Sequence, residues 1–159
     1  TEDIDLTDSV DQTSRQAFLT LSENYTCAVL SELDWIAAHQ LLNEDKGNNE
    51  KIALRSIYFG GGTPSLASTK TLETILSAIL DPTKSPFTVH KYDCEITIEM
   101  DPGTFSKDKL RAIKNMGFNR ISLGVQSFDD FILESLGRVR KPDLSADRAI
   151  FGHRRCSLQ

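Results

Sequence analysis

The sequence predicts an α/β protein with a parallel sheet, in which about three βα units follow one long helix. Three observations lead there. Short β-favouring runs at 55–59, 95–100 and 119–126 alternate with stretches of helical periodicity. The helical stretches are bounded by start and stop residues at the expected places. The connections are short, so successive strands run parallel and are joined by right-handed crossovers.

The elements follow in order. Residues 1–13 carry Glu2, Asp3, Asp5, Asp8 and Asp11 and few large apolar groups, a composition that does not offset the entropy of ordering, so they read as an acidic linker or tail. From about Arg15 to Leu42 the residues Phe18, Leu21, Tyr25, Val29, Leu33 and Ile36 recur every three or four positions, the stripe of an amphipathic helix. A polar loop, Asn43 to Glu50, follows. Arg55 to Phe59 is a strand cut off by three glycines, and Leu72, Ile75, Leu76, Ile79 and Leu80 mark a helix that stops at Asp81-Pro82. Glu95 to Met100 is the second strand; Leu110 and Ile113 lie in a helix opened by Ser106 and closed by Gly117. Asn119 to Gln126 is the third, after which Ser127 with Asp130 resembles a capping box and Ile132, Leu133 and Leu136 give a short helix ended by Gly137. The organisation is therefore a tail (1–13), a core (14–138) and an atypical C-terminal tail (139–159), in which Phe151 to Gln159 has no familiar pattern.

Bulk properties exclude several partners. The chain has 159 residues, 39% hydrophobic and 26% charged, which is globular composition for one domain. No window approaches the roughly 18 apolar residues of a membrane span. The net charge of −5 resides in the acidic prefix, and the other charges balance. No basic stripe exists to bind nucleic acid or an anionic membrane surface. Cys27, Cys94 and Cys156 are more than sixty residues apart, which is neither a disulfide framework nor a metal-ligand spacing, so they read as free thiols. The first residue is Thr and nothing resembles a signal peptide, so a processed, trimmed or incomplete product is expected. The compartment stays open between cytoplasm and an organelle, mitochondrion or plastid. His39, His90 and His153 read as solvated or packed imidazoles.

Function enters through the strand faces. Parallel strands covered on both sides are apolar on both faces. Here Ile96, Ile98 and Met100 oppose Glu95, Thr97 and Glu99, and Ile121, Leu123 and Val125 oppose Arg120, Ser122, Gly124 and Gln126. A polar face of this kind either meets solvent or lines a cavity whose contents satisfy it, because an unpaired buried carboxylate costs several kcal/mol. Gly60, Gly61 and Gly62 stand at the carboxyl end of the first strand, where α/β proteins bind ligands, and either admit close backbone approach or form a tight turn. Thr63-Pro64-Ser65 adds hydroxyls and a fixed turn. Their spacing is not that of a phosphate-binding loop. Glu99 ends its strand beside Asp101-Pro102-Gly103, where a carboxylate could pair with an ammonium group or accept ribose hydroxyls.

Four strings, Phe59-Gly-Gly-Gly-Thr-Pro-Ser65, Glu95-Ile-Thr-Ile-Glu-Met-Asp-Pro-Gly-Thr104, Asn119-Arg-Ile-Ser-Leu-Gly-Val-Gln-Ser-Phe128 and Leu136-Gly-Arg138, stand in the order and spacing of one family. The chain resembles the radical S-adenosylmethionine (SAM) proteins of the oxygen-independent coproporphyrinogen III oxidase type, and especially their haem-chaperone branch. The resemblance covers residues 55–138, about half the chain. Phe59, Ser65 and Leu136-Gly-Arg138 favour the chaperone branch.

That resemblance implies a partial (β/α) barrel, with a [4Fe-4S] cluster and SAM at the carboxyl ends of the strands. Gly61, Gly62 and Thr63 would contact the methionine part of SAM, and Glu99, Gln126 and Arg138 would line the rest of its site. Without the resemblance, Arg138 would read as a surface charge near a helix C-terminus. The family's chemistry is reductive cleavage of SAM to a 5′-deoxyadenosyl radical, used for decarboxylation in the oxidases, whereas the chaperone branch binds and transfers haem. Haem or a porphyrinogen is thus a further candidate ligand. The sequence departs from the family where a CxxxCxxC loop should precede the first helix, and where Val139-Arg-Lys141 replaces a His-containing continuation. A truncated reading frame, a splice variant or a frame change would each give such a chain. On its own it is expected to be inactive. The alternative is a cluster-less, non-catalytic α/β module that binds a partner or survives as a relic, presenting an exposed sheet edge.

Overall fold

A computed structural model of the chain describes residues 11–41, 51–89, 94–102, 104–138 and 156–158. Helix α1 spans Gln12–Leu41. Its N-terminus is closed by Asp11, whose carboxylate accepts from the backbone N–H of Thr13 (2.8 Å) and Ser14 (3.0 Å) and from the Ser14 hydroxyl. The Ser14 backbone bond is the largest of the interactions that hold the Asp11 carboxyl below its ordinary range. The expected stripe is only half used: Val29, Leu33 and Ile36 are half-buried, but Phe18, Leu21 and Tyr25 are exposed. The reason is tertiary, because α1 packs against another helix, with Ser22 hydrogen-bonded to Thr71 at 3.0 Å.

Two short strands absent from the sequence reading come next. β1 (Ile52–Leu54) precedes β2 (Ser56–Phe59), and β3 (Phe87–Val89) follows α2 (Thr69–Leu80). β1 and β3 pair in parallel with Leu54 opposite Val89. Runs of three residues are too short to show a period, and Arg55, which reads as the first residue of a strand, instead separates β1 from β2. Ser68 caps α2 by accepting from Thr71 N–H at 3.0 Å, and Asp81 ends it. Asp81 then takes the N–H groups of Thr83 and Lys84 and the Thr83 hydroxyl. Those bonds, the Thr83 hydroxyl foremost, lower its pKa to about 2.

β4 (Glu95–Met100), α3 (Lys107–Met116), β5 (Arg120–Leu123), α4 (Asp130–Ser135) and β6 (Cys156–Leu158) complete the chain. The main sheet has the order β2-β4-β5-β6, all parallel, with Phe59 opposite Ile98 and Ile98 opposite Ile121. The three expected βα units are present. The C-terminal stretch that read as patternless contributes β6, with Cys156 opposite Ile121. Ser106 and Gly117 bound α3 as expected, the glycine with a left-handed φ of 112°. At α4 the cap differs from expectation: Asp129, not Ser127, accepts from the N–H groups of Phe131 and Ile132, while Ser127 Oγ accepts from Asp129 N–H. Gly137 (φ 69°) and Arg138 close α4 through bonds to the carbonyls of Glu134 and Leu133, the Schellman pattern.

The core lies on one face of the sheet. Ile57, Ile96, Ile98 and Met100 meet Leu72 and Leu76 of α2 and Leu110 and Ile113 of α3, with Phe118 edge-on to Phe59. Asn119 stitches the starts of β4 and β5 together, its side chain accepting from Ile96 N–H and donating to the Cys94 carbonyl, both at 2.9 Å. The opposite face carries the polar row.

Candidate functional site

In a parallel sheet every strand delivers its carboxyl end to the same side. The segments after β2, β4 and β5, which among the described residues are 60–65, 101–102 with 104, and 124–127, therefore share one rim. Beneath it the polar row is internally matched. Arg120 and Glu95 form an ion pair at 2.8 Å, and Thr97, placed between Tyr58 and Arg120 in register, is only 1% exposed. Both side chains of that pair keep partial access to solvent, so pairing and exposure together account for the polar face.

At the rim, Glu99 is held at both oxygens. The Tyr58 hydroxyl donates to Oε1 at 2.5 Å and the Gly61 N–H to Oε2 at 3.3 Å. The bond to Glu99 raises the Tyr58 pKa above the ordinary phenol value, because losing the proton would set two anions against each other. Gly61 and Gly62 adopt φ of 82° and 61°, and a side chain built on either would meet nothing within 4 Å. Glycine at these two positions therefore serves backbone conformation, and the space beside it is open. Thr63 is half-buried and leads into a single 3-10 turn, Pro64–Leu66, closed by Leu66 N–H on the Thr63 carbonyl at 2.9 Å.

A second network ties the first rim loop to the next. Ser65, fully buried, accepts from the Asp101 N–H at 3.2 Å and lies 2.5 Å from the Thr104 hydroxyl. Thr104 spends its own hydrogen on the Asp101 carbonyl at 2.7 Å, so the Ser65 hydroxyl is the donor between the two. Asp101, fixed this way, pairs with Arg138 at 2.8 Å, and the same guanidinium reaches the Gly124 carbonyl at 3.4 Å.

Gln126 departs from expectation. β5 stops at Leu123, and the chain leaves it through two tight turns, Val125 N–H to the Leu123 carbonyl and Ser127 N–H to the Val125 carbonyl. Gln126 thus sits in the loop with a left-handed φ of 65°, a conformation that non-glycine residues seldom adopt and that concentrates at functional sites. Its amide nitrogen lies 3.0 Å from where a Gly124 Cβ would be. The structure thus joins Gly61 to Glu99 and Arg138 to the 101 and 124 segments, with Gln126 on the same rim.

Sequence reasoning missed Tyr58, Asp101 and the Ser65–Thr104 link. Tyr58 had a signal, since Ser56 and Tyr58 alternate with Ile57 as polar and apolar residues do in the next strand. The Ser65 network had none, because its members are separated by thirty-nine residues. Among the described residues, no group of three His, Cys, Asp or Glu could hold a metal ion. Cys27 is exposed on α1, and Cys94 is buried at the amino end of β4, away from the rim. Burial also raises the Cys94 pKa, which keeps it a thiol. No helix among the described residues is long and apolar enough to cross a membrane.

The family model for the radical SAM superfamily matches residues 37–149. The haem chaperone HemW of Synechocystis sp. is 47% identical over 85 residues, which is 54% of this chain and 19% of the relative. The mitochondrial radical S-adenosyl methionine domain-containing protein 1 of Bos taurus is 42% identical over 86 residues, 54% of this chain and 18% of the relative. Among solved structures, coproporphyrinogen III oxidase (HemN) from Escherichia coli, described as a radical SAM enzyme, aligns with a TM-score of 0.55 at 27% identity, over 67% of this chain and 25% of that one. The chain thus spans about a fifth to a quarter of the length of these relatives.

Proposed function

The chain belongs to the radical SAM superfamily, and from that premise we propose that it is the SAM-binding part of a coproporphyrinogen III oxidase-like protein of the haem-chaperone branch, acting in porphyrin or haem metabolism. The observation that carries the reading is an acid and a base presented on one rim: Glu99 beside the glycine loop, and Arg138 over the 101 and 124 segments. The methionine end of SAM carries an ammonium and a carboxylate, which such a pair would receive separately. Gly61, Gly62 and Thr63 would lie along the methionine part, with the open space beside both glycines admitting it. Gln126 would complete the wall.

The family's [4Fe-4S] cluster does not fit the described residues. A cluster of this kind is held by neighbouring thiolates, whereas Cys27 is on an outer helix and Cys94 is buried at the far end of the sheet. The role of these residues is therefore binding and orientation of SAM. Haem or a porphyrinogen is the substrate class proposed for the parent protein.

Calorimetric titration of SAM into the chain, and into a version carrying an added upstream CxxxCxxC loop under anaerobic reduction, tests the reading. Binding should weaken about tenfold or more in Glu99→Ala, as expected when a hydrogen-bonded partner of a charged group is lost. Equal affinity in both would remove Glu99 from the site. A second reading, a cluster-less partner-binding module, is favoured by the exposure of Phe128, Phe131 and Leu136 around α4. A well-folded monomer with no partner would count against it.

A further inference from the structure

We propose that Tyr58 is the positioning residue of Glu99, and that Gly60 is a glycine because the Tyr58 ring occupies the place of its side chain. A Cβ on Gly60 would lie 2.5 Å from Cε1 and 2.9 Å from Cδ1 of Tyr58, and 3.4 Å from the carboxyl carbon of Glu99. The first two separations are below any real contact of a Cβ, and the obstructing atoms belong to a ring that cannot flex aside independently of its hydroxyl. Tyr58 lies one strand over from Glu99 and two residues short of the glycine loop, so its phenol spans the β2–β4 step to reach the carboxylate.

The division of labour among the three glycines follows. Gly60 leaves room for the ring, Gly61 donates to the second carboxylate oxygen, and Gly62 continues the left-handed turn. A glutamate on the rim would otherwise sample several rotamers, and its two hydrogen bonds select one. Around the phenol stand Glu99 of β4 and Ser122 and Arg120 of β5, the last two of which, Ser122 foremost, favour its ionised form against Glu99. Tyr58 is 51% exposed, so its ring adds little to the core and its hydroxyl can be removed without opening a cavity.

The inference rests on the SAM reading only for its second readout. The first needs no ligand: in the intact chain at neutral pH, the Gly61 amide proton resonance should move upfield in Tyr58→Phe, as the carboxylate loses its orientation. The same substitution in a Glu99→Gln background should leave that resonance in place. An unmoved Gly61 amide in Tyr58→Phe overturns the proposal. The second readout is SAM affinity: Tyr58→Phe should lose about tenfold alone and less than about twofold beside Glu99→Gln. Gly60→Ala should reproduce the loss with the phenol still present. Losses that multiply in the double variant would show that Tyr58 acts independently of Glu99 and would overturn the proposal. If no version binds SAM, the site assignment fails, and the Gly61 resonance alone decides the role of Tyr58.

Discussion

Replacing Ser65 with alanine removes one oxygen from a fully buried position and disconnects two rim segments at once. The magnitude follows from the partners. Thr104 keeps its bond to the Asp101 carbonyl, so its donor stays satisfied. The Asp101 N–H loses its acceptor, and an unsatisfied donor in a sheltered place costs about 1–3 kcal/mol. Adding about 1 kcal/mol for the lost Ser65–Thr104 bond gives a destabilisation of about 2–4 kcal/mol. Urea unfolding followed by far-ultraviolet circular dichroism measures it, and the midpoint should fall at constant slope. Thr104→Ala alone should cost less, and the two losses should not add, because they break a shared network. A Ser65→Ala loss below about 0.5 kcal/mol, within the range of ordinary surface changes, would refute the reasoning.

Ile98, wholly buried where β4 meets α2 and α3, should cost about 2–5 kcal/mol on change to alanine, read as a lower urea midpoint at unchanged slope. Gly61→Ala should cost about 1–2 kcal/mol through its left-handed backbone alone, since no atom stands where the new side chain would go, and Gly61→Asn less, because Asn tolerates that conformation better. Asp81 contributes stability that is present above its unfolded value of 3.8 and is lost as pH falls through its folded value of about 2. Asp81→Ala should therefore be less stable than the native chain at neutral pH, with the gap closing below pH 3.8 toward about 2 in parallel thermal melts. A gap that persists at that acidity would assign the effect to something other than the ionised cap.

Much of the fold was legible because its signals are local. Ser106 and Gly117 bound α3 for reasons contained within a few residues, namely a free N–H beside a hydroxyl and a left-handed φ beside a missing Cβ. Alternation of apolar and polar residues is enough to separate the two faces of β4. Where two local solutions competed, the reading failed: Ser127 and Asp129 can both cap α4, and the structure spends Ser127 on the N–H of Asp129. Alternation extends the third strand to Gln126, whereas β5 stops at Leu123. The Gly124 N–H still reaches the Met100 carbonyl, but the chain turns immediately after it. The candidate site was legible as a set of residues, not as a set of contacts.

By itself, the sequence determined the order of the three βα units and of the helix before them, the apolar face that forms the core, and the rim to which the glycine loop and Glu99 belong. Those properties depend on side-chain period and on backbone preference at single positions. Only the tertiary structure decided that Tyr58 holds Glu99 across forty-one residues, that Ser65 meets Thr104 across thirty-nine, and that Arg138 turns to Asp101 across thirty-seven. Each of these contacts exists because β2, β4 and β5 lie side by side in a particular register. Register is the outcome of the whole core packing at once, with no residue whose neighbours in the chain announce it.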